Sequence, residues 1–253
     1  MRTNRLKKWG KRLLLGTAVL VLVGAGTNSA WTLSGSNTWE LEIDRDGIQV
    51  YSFKAPGTFN KQFKGVARGD YTRSQIAASL LLDNDSLENC KEWIPVCVDL
   101  TVLEPYSEEA QGDSVLWTLE LLPPVFKNRE YVIKSHAAQD PETGIVTIDV
   151  MAGGAKVPLN DCCIRITHIH NRWQLTPVEN GQLEIVLVQD FSMGGFFPDF
   201  LVNLGGAEET FKLFSEQLPT LVDKPKYRNA RFSFINEAQG MTEATAAATP
   251  VIR

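Results

Sequence analysis

A single long amphipathic helix near the C-terminus has to cover a long succession of strands, and that imbalance limits the folds open to this chain more than any other feature. Pro198 opens a segment in which Phe200, Leu201, Leu204, Phe211, Phe214 and Leu218 recur at helical spacing until Pro219. Upstream of it, after Pro95, the chain reads as short strands at 96–103, 114–121, 130–137, 144–152, 162–170, 172–178 and 183–190. Gln111-Gly112-Asp113, Asn171 and Asn180-Gly181 are among the turn signals between them. Such short connections make consecutive strands antiparallel neighbours. An antiparallel sheet that buries one face needs a cover. A curved sheet gripping one helix cannot close along its full length, so space is left between the two.

The start of the body fits the same picture. Trp39, Leu41 and Ile43 alternate with Glu40, Glu42 and Asp44, and Asp46-Gly47 supplies a hairpin turn into the strand 48–53. A third strand fits 59–67. Thr72 or Ser74 then caps a helix carrying Ile76, Ala77, Leu80 and Leu81, which the polar cluster Asp83-Asn84-Asp85-Ser86 stops. A short helical turn over 87–93 precedes Pro95. The fold class is therefore α+β: a curved antiparallel β-sheet wrapped around a long C-terminal helix, with short helices after the first strands. No internal repeat of fixed period is present, which excludes solenoids and propellers. With 43% hydrophobic and 22% charged residues in 253, the chain can fill the core of one large domain.

The first thirty residues read as an address. Arg2, Arg5, Lys7, Lys8, Lys11 and Arg12 precede an apolar run from Leu13 to Val23 and a small, polar stretch to Ala30. These are the three zones of an export signal, and the run is short of the ~20 residues that span a bilayer. Residues 1–30 are thus expected to be a signal peptide or an N-terminal anchor, with the protein exported, periplasmic or secreted. The body left behind has 19 Lys and Arg against 30 Asp and Glu. A net charge of −11 repels phosphate backbones, so nucleic acid is not an expected partner, and it disfavours docking to an anionic membrane by bulk charge. Beyond residue 224 the Pro-, Ala- and Thr-rich sequence reads as a loosely held tail to 253.

Export permits disulfides. Cys90 and Cys97 enclose a short loop and are candidates for local pairing. Cys162 and Cys163 are neighbours in a strand-like run, where alternation points one inward and leaves the other a half-exposed thiol. Repeated Cys or Cys/His spacings of a zinc site are absent, so no metal and no cofactor are expected, although Cys163 with His168 or His170 is a weak metal candidate. Hydrolase elbows, His-Glu-x-x-His and glycine-rich phosphate loops are also missing.

Four stretches in order carry a resemblance to a known family. They are the entry Trp39 to Tyr51, the stretch Pro123 to Val132, the Trp173-Gln-Leu-Thr-Pro177 block, and Asp190-x-x-x-Gly-Gly-x-x-Pro-Asp-Phe-Leu-Val-Asn203. Together they resemble the START domain, the lipid-transfer domain of helix-grip architecture, over residues 38–221. The resemblance implies a tunnel between sheet and terminal helix that holds one lipid or other hydrophobic molecule. It makes 123–128 a gate loop, 196–218 a lid and Arg129 the recurrent arginine after the loop. Sterol-carrying members place a buried base six positions past that arginine, paired with an acid. Here that position is Ser135, and Leu116 and Trp117 stand where the acid would lie, which argues against sterol.

The residues expected to line the tunnel or gate are Trp117, Phe126, Arg129, Tyr131, Ile133 and Ser135 with Phe197, Phe200, Leu201, Leu204 and Phe211. Tyr131, Ile133 and Ser135 share one strand face, and the aromatic residues of the terminal helix are expected to be buried. Arg129 is read as meeting either a lipid head group or an acid of the adjoining loops. The expected protein is a monomer that binds a hydrophobic small molecule, performs no covalent chemistry and touches membranes transiently. The alternative is an enzyme resembling polyketide cyclases and aromatases of the same fold, with Tyr131, Ser135, Arg165 and His168 as its polar groups. A third reading is an interaction module holding a protein segment in the groove.

Overall fold

The computed structural model describes residues 26–238 except 28, 83, 122–124, 154–156, 179–180, 196 and 198. Most of the expected export segment, Pro123 and Pro124 of the gate loop, Pro198, and residues 239–253 of the expected tail lie outside the described residues. Among the described residues, no helix is long and apolar enough to cross a membrane.

The sheet begins with β1 (Trp39–Arg45), β2 (Ile48–Phe53) and β3 (Gln62–Gly69), followed by α1 (Arg73–Leu81) and α2 (Leu87–Trp93). It continues with β4 (Cys97–Ser107), β5 (Gly112–Leu119), β6 (Asn128–Gln139), β7 (Val146–Ala152), β8 (Cys163–Ile166), β9 (His170–Pro177) and β10 (Leu183–Gln189). Helix α3 (Asp199–Lys212) runs through a π-helical segment (Leu213–Gln217) into α4 (Leu218–Val222), and α5 (Pro225–Arg228) follows.

The spatial order is β1-β2-β3-β10-β9-β7-β6-β5-β4, with β8 parallel to β6. Local chemistry explains the joints. Asp46 and Gly47 both adopt positive φ (54° and 75°), the geometry of a two-residue hairpin whose twist matches its strands. Thr72 caps α1 by accepting from the Gln75 N–H at 3.1 Å, and Ser86 caps α2 from Asn89 at 3.2 Å. A Cys90–Cys97 disulfide ties α2 to the start of β4.

Two departures from simple sequential pairing stand out. Helices α1 and α2 carry the chain across the sheet, so β3 pairs with β10 and not with β4. The strand expected over 162–170 is divided: β8 stops at Ile166, and β9 pairs with β7 from His170 onward. Cys162 and Cys163 are joined to each other by a disulfide, in place of the two thiols expected on opposite faces. Adjacent strand residues point to opposite faces, so side chains bonded to one another cannot both belong to the strand, and β8 starts only at Cys163.

The C-terminal helix also exceeds its expected end. Pro219 lies inside α4, and the helix continues to Val222. Proline has no N–H for the carbonyl four residues earlier and its ring crowds that carbonyl; the wider π turn at 213–217 lies where this would break an α-helix. Two glycines let the helix settle on the sheet. A Cβ at Gly65 of β3 would stand 2.3 Å from a Phe214 ring carbon, and one at Gly206 would stand 2.1 Å from Phe63. Gly206 is thus a point of close approach, whereas Gly205 faces open space.

The segment after 224 is not a loose tail as far as residue 238. Tyr227, Phe232 and Ile235 are buried in the main core with Val50, Ile76 and Phe214. Arg73, 1% exposed, donates to the carbonyls of Gly144, Asn236 and Glu237. The Glu237 carboxylate accepts from the Ser74 N–H at 2.8 Å and the Arg73 N–H at 3.2 Å. The first turn of α1 has free N–H groups and a buried guanidinium, and this segment supplies the acceptors both need.

Candidate functional site

A pocket of about 350 Å³ lies between the sheet and the C-terminal helix. Trp117, Val150, Trp173 and Leu187 form much of its floor, Gly206, Thr210 and Leu213 its roof, and Leu80, Asn84 and Trp93 a side wall. The floor follows from period-two alternation: Asp113, Val115 and Trp117 on β5 share a face with Ile133 and Ser135 on β6, matched through Asp113↔Ser135 and Val115↔Ile133. The same row runs on through Ser135↔Val150 and Val150↔Asn171.

Of the residues expected to line this space, Trp117 and Ser135 do. Tyr131 and Ile133 share the face of Ser135 but are packed into a second core cluster with Val115 and Ile166. Burial pushes the Tyr131 hydroxyl up to about 12. Phe211 is buried beneath the Arg45 guanidinium, 3.8 Å from its ring centroid, and does not line the pocket. Phe200, Leu201 and Leu204 are 59%, 46% and 77% exposed, contrary to the expectation of a buried aromatic face. Helical spacing puts Phe200 and Leu204 on the same side as Phe211; among the described residues, nothing buries the first turns of α3 on that side.

Among the described residues Arg129 pairs with no acid. Fully buried, it donates to the carbonyls of Lys127, Met193 (2.7 Å) and Gly194 (3.0 Å) and so ties the gate loop to the segment leading into α3. Phe126 and Phe197 close this junction with rings 5.3 Å apart. Gly194 and Gly195 both have positive φ and press on Ile164 and Ile166 of β8, which makes them a packed turn. Lys127 Nζ reaches the Asp161 carbonyl at 3.2 Å and Arg165 the Pro158 carbonyl at 2.9 Å, joining a further loop to this end. Val125 and Leu159, 77% and 74% exposed, are carried by these loops.

The four polar groups of the enzyme alternative are not brought together. Ser135 lines the pocket, Tyr131 is packed beside it, Arg165 is ion-paired to Glu130 at 2.9 Å, and His168 is exposed with Nε2 2.8 Å from Asp190. The metal candidate is also dispersed: Cys163 is bonded to Cys162, and His170 lies against Asp149 at 2.9 Å. Both sulfurs lie near the Glu130 carboxylate, but each is consumed by the disulfide.

Sequence reading missed Asp113, Asn84, Asn171 and Gln189. Asp113 is 5% exposed, and its Oδ2 accepts from Asn84 Nδ2 at 2.8 Å. Burial pushes its carboxyl above the ordinary aspartate value. The acid facing Ser135 is therefore Asp113, and not a residue at the positions of Leu116 and Trp117.

Among solved structures, the chain is similar to a STAR-related lipid transfer protein fragment from Xanthomonas axonopodis, with 21% identity over 74% of this chain and 99% of that one and a TM-score of 0.61. Human STARD10 shares 13% identity over 77% of each chain at a TM-score of 0.60. The lipid transfer and protein localization domain of human StarD13 shares 14% over 81% of this chain and 97% of that one, at 0.57. No family model matches the sequence, and no curated protein matches it. With the open antiparallel sheet and C-terminal helix described above, these likenesses show that the protein has a START-like, helix-grip fold.

Proposed function

We propose that the protein binds one hydrophobic molecule in the pocket between sheet and C-terminal helix, and transfers or senses it in an exported compartment. The observation that carries this reading is the pocket itself: about 350 Å³ floored by Trp117, Val150, Trp173 and Leu187 in a fold shared with lipid-transfer domains. That volume is at the lower end of the ~300–1,000 Å³ usual for ligand sites, which favours a single chain or one compact ring system over a two-chain phospholipid. Each buried methylene contributes about 0.8 kcal/mol, so a dozen of them supply about 10 kcal/mol against an association cost of ~4–15 kcal/mol.

In this reading the ligand passes the end built by Arg129, Phe126 and Phe197, where the gate loop meets the segment leading into α3. The exposed Val125, Leu159, Phe200, Leu201 and Leu204 at the loops and helix turns there support brief contact with a bilayer during loading. Both cysteine pairs are joined, which supports an oxidising compartment.

The test is to purify the exported body without detergent, extract it with organic solvent and identify what is released by mass spectrometry. One hydrophobic compound per chain is the expected result. An extract without lipid, from protein that also fails to take up added lipid, would refute binding.

A further inference from the structure

The two disulfides differ in what they hold and in what can reach them. Cys90–Cys97 ties α2 to β4, and its residues are 5% and 0% exposed. Cys162–Cys163 joins neighbours in the sequence, so it closes almost no loop and braces no distant elements. Cys162 is exposed and Cys163 half-buried. Thiol–disulfide exchange starts with a thiolate attacking a sulfur that it can reach, so a reductant acts on the Cys162–Cys163 bond first. A bond with so little to hold together points to chemistry and not to support.

Once opened, the pair has a third ligand group beside it. β8 runs parallel to β6 with Asn128↔Cys163 and Glu130↔Arg165 in register, and alternation puts Cys163 and Arg165 on one face of β8. The two sulfurs and a carboxylate oxygen of Glu130 lie within 4.8 Å of one another. Around a tetrahedral cation with bonds of about 2.0–2.3 Å, ligand atoms stand roughly 3.3–3.8 Å apart, which side-chain rotation can reach from here. Both Arg165 bonds to Glu130 fall on Oε2, at 2.9 and 3.3 Å, leaving Oε1 outside the ion pair. Two thiolates and one carboxylate set against the Arg165 guanidinium leave two negative charges, which one divalent cation balances. Paired thiolates select soft cations over magnesium or calcium.

We infer that Cys162, Cys163 and Glu130 form a metal site that reduction opens and oxidation closes, and that its cation is a soft divalent ion of the zinc group. A dithiol reductant supplies the two electrons and two protons: one of its thiolates attacks a sulfur of the pair and breaks the S–S bond, and its second thiol displaces the resulting mixed disulfide. The reductant leaves as a disulfide, and Cys162 and Cys163 become thiols. Cation binding then expels their two protons. Reoxidation removes both thiolates and the cation with them. The site is separate from the pocket and independent of what the pocket carries.

The test reduces the full chain mildly with dithiothreitol, removes the reductant under anaerobic conditions and titrates with cadmium chloride, following the ultraviolet thiolate-to-cadmium charge-transfer band. Alkylation and peptide mass spectrometry should find Cys162 and Cys163 labelled before Cys90 and Cys97. One cadmium ion per reduced chain is expected and none per oxidised chain, with zinc chloride displacing it. Glu130→Gln should weaken binding by at least about tenfold. Cys162→Ser, at an exposed position that leaves the Glu130–Arg165 pair untouched, should abolish the band whether or not Glu130→Gln folds. A reduced chain that binds no cadmium, equal binding by the oxidised chain, a band retained in Cys162→Ser, unchanged affinity in folded Glu130→Gln, or earlier labelling of Cys90 and Cys97 would overturn the inference.

Discussion

Gly205 and Gly206 are neighbours in α3 with opposite surroundings, and the pair isolates how the helix is held to the sheet. Replacing either by alanine gains the same helix propensity, about 1 kcal/mol. At Gly205 the new methyl meets nothing within 4 Å, so the gain stands alone. At Gly206 it would lie 2.1, 2.4 and 2.6 Å from three carbons of the Phe63 ring. Carbon contacts relax at ~3.5–4.0 Å, so the ring has to retreat by more than an ångström. Phe63 is only 2% exposed, and a retreat carries its ring off its present packing into the pocket it lines. Overpacking of this kind costs about 1–3 kcal/mol. That cost is the difference between the two variants, because the propensity gain cancels. For a domain of this size 1 kcal/mol shifts the melting temperature by roughly 2–4 °C, so Gly206→Ala should melt roughly 2–12 °C below Gly205→Ala, with urea midpoints in the same order. Phe63 also lines the pocket, so Gly206→Ala should weaken ligand binding as well. Equal stability of the two variants would refute the claim that the Phe63–Gly206 contact seats the helix.

Further consequences follow from the same contacts. Cys90→Ser opens a loop with a sequence separation of seven and should cost about 2.5 kcal/mol in urea unfolding; an unchanged midpoint would show that α2 is held without the bond. A chain ending at Asp223 loses buried Tyr227, Phe232 and Ile235, at about 1.5–3 kcal/mol each, and the acceptors on Arg73, so circular dichroism should show a large loss of cooperative folding. The raised pKa of Asp113 means that its contribution to stability is fully present below the ordinary aspartate value of ~3.9 and is lost as pH rises through the folded value. Asp113→Asn should therefore be more stable than the parent at pH 8, and the gain should vanish by about pH 4 in denaturation across that range. Tyr131, pushed up to about 12 by burial, should stay un-ionised at pH 10.5, so Tyr131→Phe should leave the ultraviolet tyrosinate signal there unchanged.

The elements with strong periodicity were legible in the sequence. The hairpin at Asp46-Gly47, the Thr72 cap and α2 over 87–93 are all where local chemistry puts them. Long-range pairing was not: no local signal tells β3 to pair with β10, because α1 and α2 decide that by where they carry the chain. The polar half of the site was hidden for a related reason. Asn84, Asp113 and Asn171 have the residue types of turns, and each stands at the end of a helix or strand, where a turn is the ordinary reading. Extending the alternation of Trp117 and Val115 by one step to Asp113, or of Leu175 and Trp173 to Asn171, would have put both on the pocket face. The outward Phe200, Leu201 and Leu204 were misplaced because helical periodicity defines a face but not how far along the helix that face is covered.

The central claim is that a guest molecule occupies the space enclosed by sheet and helix. Native mass spectrometry of the protein as isolated, set against a Val150→Trp variant whose indole fills the middle of the floor, addresses it most directly. The account predicts one discrete mass increment on the parent chain and none on the variant, with both folded by circular dichroism. An increment that persists in the variant, or one absent from both proteins, would contradict it.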